Sequence, residues 1–369
     1  MKICHLTSVH KADDVRIFEK ECVSLKKAGY DVSLIAPGDS KEKESIHIIG
    51  IPQDKNRIKR ILFSTYRVYK QALRTDSQIY HLHDPELLPC GYLLKKKGKK
   101  VIYDAHEDIG RQVLGKTWIP SVLRRIVSFL IEVIEKNISQ KFDAVITVSP
   151  HISDRFSKKG IKTTVISNFP IITDKIQIGV GEEGRTDSIC FAGGISEQWM
   201  HHNVIGCLEQ CEVRYNLVGK GSGGYMEELK KEKGWERVNY IGVKPHEEVK
   251  KIYARSLAGM ALNSYNANVG YKTGTLGNTK LFEYMEAGIP VICTDFKLWK
   301  KIIEEWECGI CVNPYNQHEI IEAILTLKND TEKAKKMGEN GRKAAEEKYN
   351  WEMEEKKLIE LYGQIELRV

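Results

Sequence analysis

Apolar residues in this chain fall into two alternating patterns. Short continuous runs predict strands at Lys2–Thr7, Asp31–Ala36, Ile46–Ile49, Ile79–Leu82, Lys100–Tyr103, Ala144–Thr147 and Thr163–Ile166. Between them, apolar positions recur every three or four residues and predict helices at Val15–Lys27, Arg57–Arg74, Pro85–Lys96, Pro120–Gln140 and Ile152–Lys159. Val15, Ile17, Phe18, Cys22 and Leu25 share one helical face, which Gly29 ends. A polar, Pro-punctuated stretch, Asn168–Asp174, reads as a linker. The alternation then restarts with strands at Ser188–Ala192, Arg214–Val218, Val238–Ile241, Ala258–Leu262, Pro290–Cys293 and Gly309–Val312. Helical patterns fill the gaps at Asn203–Gln210, Tyr225–Lys233, His246–Ala254, Thr279–Ala287, Asn316–Lys328 and Glu332–Lys348, and Trp351–Ile365 closes the chain. Strands alternating with helices predict parallel sheets covered on both faces. The expected architecture is therefore α/β: two Rossmann-like, doubly wound domains, 1–170 and 171–348, and a C-terminal helix, 349–369, returning toward the first. Ligands of such folds sit at the carboxyl ends of the strands, so the chemistry is expected in loops facing an interdomain cleft.

The chain has 369 residues, 41% of them hydrophobic, which is enough for two cores and excludes a disordered chain. Glu132 interrupts the apolar run around Ile126–Ile131, and nothing approaches the ~20 residues of a membrane span. Met1 leads directly into a strand pattern, so no signal peptide is read. The net charge of +7 is unevenly shared: residues 1–170 hold 30 basic and 19 acidic side chains, the remainder 27 and 31. A basic half joined to a slightly acidic half suggests two different partners. Nine cysteines, an odd number set mostly in apolar runs, fit a reducing compartment. Cys207 with Cys211 and Cys308 with Cys311 lack a second ligand pair at zinc spacing, so no metal site is read.

Four strings carry candidate chemistry. The loop from Gly270 to Lys280 precedes a helix, and Thr279 could cap it. With Gly274, Gly277, Lys272 and Lys280 it could cradle a diphosphate at the helix N-terminus. One turn on, Glu283 could accept hydrogen bonds from a ribose diol, while Glu286 reads as solvated. Gly219–Gly224 matches GxGxxG, but the following strand, ending Tyr240-Ile-Gly-Val, lacks the acid a dinucleotide site needs. In the first half, His10 to Arg16, His81 to Glu86 and Tyr103 to Asp108 follow strands. Asp84 and either Asp13 or Asp14 could merely cap helices, and His81 could be structural. His106 has the least structural work. The basic, aromatic segment Arg57–Arg74 and the apolar Trp118–Ile134, with Arg124 and Arg125, suit an anionic membrane surface.

Several of these strings together resemble glycosyltransferase family 4, the retaining GT-B enzymes. They are Leu281-Phe-Glu-Tyr-Met-Glu-Ala-Gly-Ile-Pro-Val, His10…Asp14-x-Arg16, His83-Asp-Pro-Glu-Leu-Leu88, Tyr103-Asp-Ala-His-Glu107, Thr147-Val-Ser149 and Asn350-Trp-Glu. The resemblance implies a nucleotide-sugar donor held mainly by the second domain and an acceptor held mainly by the first. It implies catalytic roles for His106, Glu283 and Lys280. It also implies donor contacts from Gly193, Gly194, Lys220, Lys244, Gly274, Thr275, Leu276, Gly277, Asn278, Thr279, Lys280, Leu281 and Glu283. The implied acceptor contacts are His10, Asp14, Arg16, His83, Asp84 and Glu107. Two departures stand out: Thr275 occupies the place of the first glutamate in the family's E-x7-E element, and Gly194 and Met200 replace an Arg and a Lys that neutralise diphosphate. Leaving-group charge then falls to Lys220, Lys272, Lys280, glycine-rich backbone or His201 and His202.

The function expected from this resemblance is retaining transfer of a sugar from a nucleotide diphosphate sugar, UDP foremost, to a hydroxyl of a lipid-linked or surface-polysaccharide glycan, as in capsule or lipopolysaccharide synthesis. No cofactor or divalent metal is expected, nor any nucleic acid partner. The expected location is cytoplasmic, peripheral at the inner face of the cell membrane. The alternatives are an inactive nucleotide- or glycan-binding scaffold, a nucleotide-sugar epimerase and an NAD-dependent dehydrogenase.

Overall fold

The computed structural model describes residues 1–54, 60–106, 108–115, 119–174 and 186–367. It divides into two compact units: Met1–Asn168 with Trp351–Val369, and Phe169–Asn350.

The first unit holds an eight-stranded sheet. Its strands are β1 (Lys2–Leu6), β2 (Asp31–Pro37), β3 (Lys41–Lys43), β4 (Ile46–Ile51), β5 (Ile79–Leu82), β6 (Lys100–Ala105), β7 (Ala144–Thr147) and β8 (Thr163–Val165). Their order is β3-β4-β2-β1-β5-β6-β7-β8, parallel except for β3 against β4. Strand β5 is buried along its whole length, as a strand covered on both faces must be. One apolar layer contains Leu82, Leu94, Tyr103 and Phe156. The other contains Ile3, Phe18, Leu34 and Ile102, together with Trp351, Leu358 and Tyr362 of the C-terminal helix Trp351–Glu366. That helix is tied in by Trp351 Nε1 donating to Ser24 Oγ (2.9 Å) and by the Ser167 N–H donating to Glu354 (2.8 Å).

The second unit holds a six-stranded parallel sheet ordered β11-β10-β9-β12-β13-β14. These strands are β9 (Thr186–Ile195), β10 (Arg214–Gly221), β11 (Val238–Gly242), β12 (Ser256–Ala261), β13 (Val291–Thr294) and β14 (Gly309–Val312). Apolar layers built around Phe191, Tyr215 and Ile324 on one side and Phe282, Tyr284 and Trp299 on the other cover its faces.

Three elements escape the apolar pattern. Strand β3 is wholly exposed Lys-Glu-Lys, and Glu44 and Ser45 follow it at φ 52° and 56°, a two-residue hairpin turn without the usual Asn or Gly. The short helix Ile109–Leu114 buries only Gly110 and Val113. The helix Lys297–Trp306 buries Trp299, Ile302 and Ile303, a spacing that does carry a helical signal. The Val15–Lys27 pattern also divides: Val15–Cys22 is a wider π-helix, and only Val23–Lys27 is α-helical. Its inner face buries Arg16, Lys20 and Glu21 beside Ile17, Phe18 and Cys22.

Candidate functional site

In the first unit, polar side chains gather where β1, β5 and β6 end. Asp84, buried after β5, does not cap the helix that follows. It accepts instead from Thr7 Oγ1 (2.8 Å) and from the Ser8 N–H (2.6 Å), and its other oxygen lies 3.5 Å from His10 Nε2. It therefore holds the loop after β1 against β5. Asp14 caps the next helix through the Ile17 N–H (3.0 Å) and lies 3.3 Å from His10 Nδ1. Burial pushes the Asp14 carboxyl up, but the His10 and Ile17 hydrogen bonds outweigh it and hold the group at about 2.

His10, His83, Asp84 and His106 line one cavity of about 190 Å³. The rings of His10 and His106 meet edge to face at 5.2 Å. Arg60 and Glu86 join that wall, paired through Nε–Oε1 (2.9 Å) and Nη2–Oε2 (3.2 Å). Arg60 is thus turned toward a carboxylate, which corrects its reading as a headgroup contact. Arg16 is buried away from the cavity, where it clamps Asp104 (Nε–Oδ2 2.8 Å, Nη2–Oδ1 3.0 Å) and donates to Ile166 O. It acts on an acceptor only by holding Asp104, whose Oδ2 is 3.4 Å from His83 Nδ1 and 3.5 Å from His106 Nδ1. Glu107, Arg57, Lys59 and Trp118 lie outside the described residues. His81 is fully buried, its Nδ1 2.9 Å from Tyr362 Oη.

In the second unit, β9 and β10 end side by side, with Gly193 opposite Gly219 and Gly194 opposite Lys220. The approach is close: a Cβ on Gly219 would stand 1.8 Å from Gly193 O, and one on Gly193 would stand 2.8 Å from Lys280 Cε. The Lys280 stem therefore lies along the backbone of Gly193. Glu283, one turn into the helix Lys280–Glu286, accepts from Thr279 Oγ1 (2.6 Å) and Tyr253 Oη (3.1 Å), with Lys280 Nζ at 3.3 Å. Burial pushes the Glu283 carboxyl up, but Lys280 and the Thr279 hydroxyl prevail and keep it below the usual range, hence ionised. Thr279 is thus committed to Glu283 and does not cap the helix; the Lys280 N–H donates to Asn278 Oδ1 instead (3.1 Å).

The loop before the helix is pinned from below. Thr275 is buried, its carbonyl accepts from Trp299 Nε1 (2.7 Å), and its hydroxyl accepts from the Gly277 N–H (3.0 Å). Leu276, Gly277 and Asn278 are partly exposed above it, while Leu281 is fully buried in the core. Lys220 is exposed at the end of β10; Lys244 is exposed and 3.2 Å from Glu248. Glu286 is a correction: it is buried, accepts from the Thr173 hydroxyl (2.7 Å), and lies 3.6 Å from Arg342. His201 is also withdrawn as a source of positive charge, because burial lowers it to about 3 and its Nδ1 meets Tyr215 Oη at 3.0 Å. His202 is engaged by Glu232 (2.7 Å).

A cavity of about 480 Å³ opens past the ends of β9 and β10, lined by Ile195, Ser196, Glu197, Gln198, Ser222 and Tyr225. None of these was singled out in the sequence. Their one signal is position, immediately after the glycine-rich ends of neighbouring strands.

Residues 19–169 match the family model for Glycosyltransferase Family 4, and residues 174–344 match Glycosyl transferases group 1. A curated relative, an uncharacterized glycosyltransferase of Methanocaldococcus jannaschii, is 22% identical over 83% of this chain and 77% of its own length. Among solved structures, a sucrose-phosphate synthase from Thermosynechococcus elongatus superposes with a TM-score of 0.79 at 16% identity, covering 100% of both chains. The Anabaena protein HepE, solved in complex with UDP and glucose, gives 0.74 at 17% identity over 99% of this chain and 100% of its own. The paired sheets, the strand-end sites and the two matches along the sequence agree: this chain is a GT-B glycosyltransferase belonging to the group 1 and family 4 glycosyltransferases.

Proposed function

We propose that this enzyme transfers a sugar from a UDP-sugar to a hydroxyl of a lipid-linked or surface-polysaccharide glycan, with retention at the anomeric carbon. The observation that carries the donor half is Glu283, an ionised carboxylate held by three neighbours at a strand-end site beside Lys280. Its remaining lone pairs suit the two hydroxyls of a ribose. Lys280 Nζ, within reach of both Glu283 and the backbone of Gly193, suits the diphosphate. The UDP bound by HepE supports uracil as the base.

In this reading the bond from the anomeric carbon to the leaving phosphate oxygen breaks, and a bond to the acceptor oxygen forms on the same face. The acceptor proton passes to the departing diphosphate. The protein supplies position and positive charge: Lys280 and Lys220 stabilise the leaving group, and Gly193 and Gly194 let backbone approach it. His10, His83, Asp84 and His106 orient the acceptor in their common cavity. Lys280 provides the leaving-group charge that a divalent cation provides elsewhere.

The acceptor's lipid anchor is inferred from the helix Ser121–Ser139. Val122, Leu123, Ile126, Phe129, Leu130 and Ile134 all stand exposed on it, Val122 at 73% and Phe129 at 65%. With Arg125 exposed among them, this face suits an anionic bilayer at the cytoplasmic side. No helix among the described residues is long and apolar enough to cross a membrane.

The test is nucleotide release from a panel of UDP-, GDP-, ADP- and dTDP-sugars, with and without polyprenyl-linked glycan acceptors. Acceptor-dependent UDP release supports the reading. Tight nucleotide binding without turnover on any pair would replace it with a binding scaffold, and a changed UDP-sugar made without acceptor would replace it with an epimerase.

A further inference from the structure

We propose that His5, Glu21, His81 and His83 form a structural zinc site inside the first unit. The four come from three separate segments: β1, the helix Val15–Cys22, and β5 with the residue just beyond it. All four are buried, none more than 1% exposed. His5 Nδ1, His81 Nδ1, His83 Nε2 and Glu21 Oε2 converge, and one atom from each residue lies within 4.8 Å of every other. Glu21 Oε2 is 4.0, 3.6 and 3.9 Å from the His5, His81 and His83 nitrogens, and the His5–His83 pair is 2.9 Å apart. A tetrahedral zinc ion with bonds of ~2.0–2.1 Å needs its ligand atoms ~3.3–3.4 Å apart. The observed separations straddle that value, so each ligand needs only a few tenths of an ångström of movement.

Electrostatics points the same way. Glu21 and Asp104 are both buried, and one guanidinium, Arg16, serves both: its Nε is 3.2 Å from Glu21 Oε1 but donates its hydrogen bond to Asp104. Neither oxygen of Glu21 has a hydrogen-bond partner among the described residues. A buried carboxylate so placed is costly unless a cation faces it. Neutral imidazole is the ligating form, and burial holds all three rings below their usual range. On its far side, His83 Nδ1 faces Asp104 Oδ2 at 3.4 Å, the carboxylate–histidine arrangement that orients metal-ligating imidazoles. A set of three nitrogens and one oxygen, closed to solvent, describes a structural site rather than a catalytic one. Its effect would be to rivet the helix Val15–Cys22 to β1 and β5, fixing the edge of His83 that borders the cavity with His10 and His106.

The competing arrangement is a hydrogen-bonded relay without an ion, in which His5 bonds His83 and His81 bonds Tyr362. Element analysis separates the two. Full-length protein without a polyhistidine tag is purified from zinc-supplied cells and dialysed against EDTA. One zinc per chain is expected, and refolding with cobalt(II) should give the intense visible bands of a tetrahedral site. His81→Ala and Glu21→Gln should lose the ion; His106→Ala should keep it. Less than about a tenth of an equivalent of zinc with no tetrahedral cobalt spectrum would overturn the proposal in favour of the relay, as would undiminished zinc in both His81→Ala and Glu21→Gln. If either variant fails to fold, the wild-type stoichiometry and cobalt spectrum decide.

Discussion

Glu283 is held ionised by a lysine, a threonine and a tyrosine that each have another structural reason to be there, and this separates a binding carboxylate from an ordinary helical surface glutamate. Glu283→Gln should lower kcat/KM for the donor by a factor corresponding to ~1.5–3 kcal/mol, the value of a hydrogen bond to a charged group. Lys280→Met should act mainly on kcat, because leaving-group charge grows in the transition state; a change confined to KM would contradict that role. Asp14 offers a pH test. Its folded pKa is depressed from 3.8 to about 2, so its contribution is complete above about pH 4 and is lost as pH falls toward 2. Its side chain is 29% exposed, and screening reduces the contribution to roughly 1–2 kcal/mol. Asp14→Asn keeps the cap and removes the charge, so the urea midpoints of the two proteins should differ at pH 5 and converge toward pH 2.5. At this scale the sequence showed which polar residues follow strands but not what they touch. Glu283 and Glu286 lie three positions apart in one helix, and only the fold shows that one faces the site and the other a buried Arg342. The zinc proposal was equally hidden, since cysteine spacing says nothing about a ligand set drawn from His5, Glu21, His81 and His83.

At the scale of elements, the glycine-lined crossing of β9 and β10 and the exposed helix Ser121–Ser139 make opposite demands. Gly219→Ala would drive a methyl group into Gly193 O at a φ of +134°, and should cost about 3 kcal/mol in the urea midpoint with m unchanged. Ile126→Ser with Phe129→Ser should leave the melting temperature almost unmoved, because both side chains are exposed. It should weaken partition onto anionic vesicles by about 2 kcal/mol, roughly 30-fold. Unchanged partition would remove this helix as the membrane face. Buried strands were legible because they are continuous apolar runs: Ile79–Leu82, Ala144–Thr147 and Gly309–Val312 have the bounds the pattern assigns them. Strand β3 was not, because an exposed edge strand of Lys-Glu-Lys buries nothing and so leaves no hydrophobic trace. The π-helical opening of Val15–Cys22 was hidden too, because Arg16, Lys20 and Glu21 turn inward on a face read as apolar.

Across the whole molecule, each unit carries its own sheet, its own pair of apolar layers and its own strand-end site, and the last helix belongs to the first unit. The uneven charge follows the division: the basic half carries the proposed acceptor and membrane face, and the acidic half needs positive charge only locally, at Lys280 and Lys220. With His201 neutral and His202 paired, those two lysines carry most of the burden of the diphosphate. The decisive measurement is a calorimetric titration of UDP into the wild-type enzyme and into Glu283→Gln. Saturable binding by the wild type, weakened at least about tenfold in the variant, is the expected result. Equal affinity in the two proteins, or no binding of any nucleoside diphosphate to the wild type, would contradict the placement of the donor at Glu283.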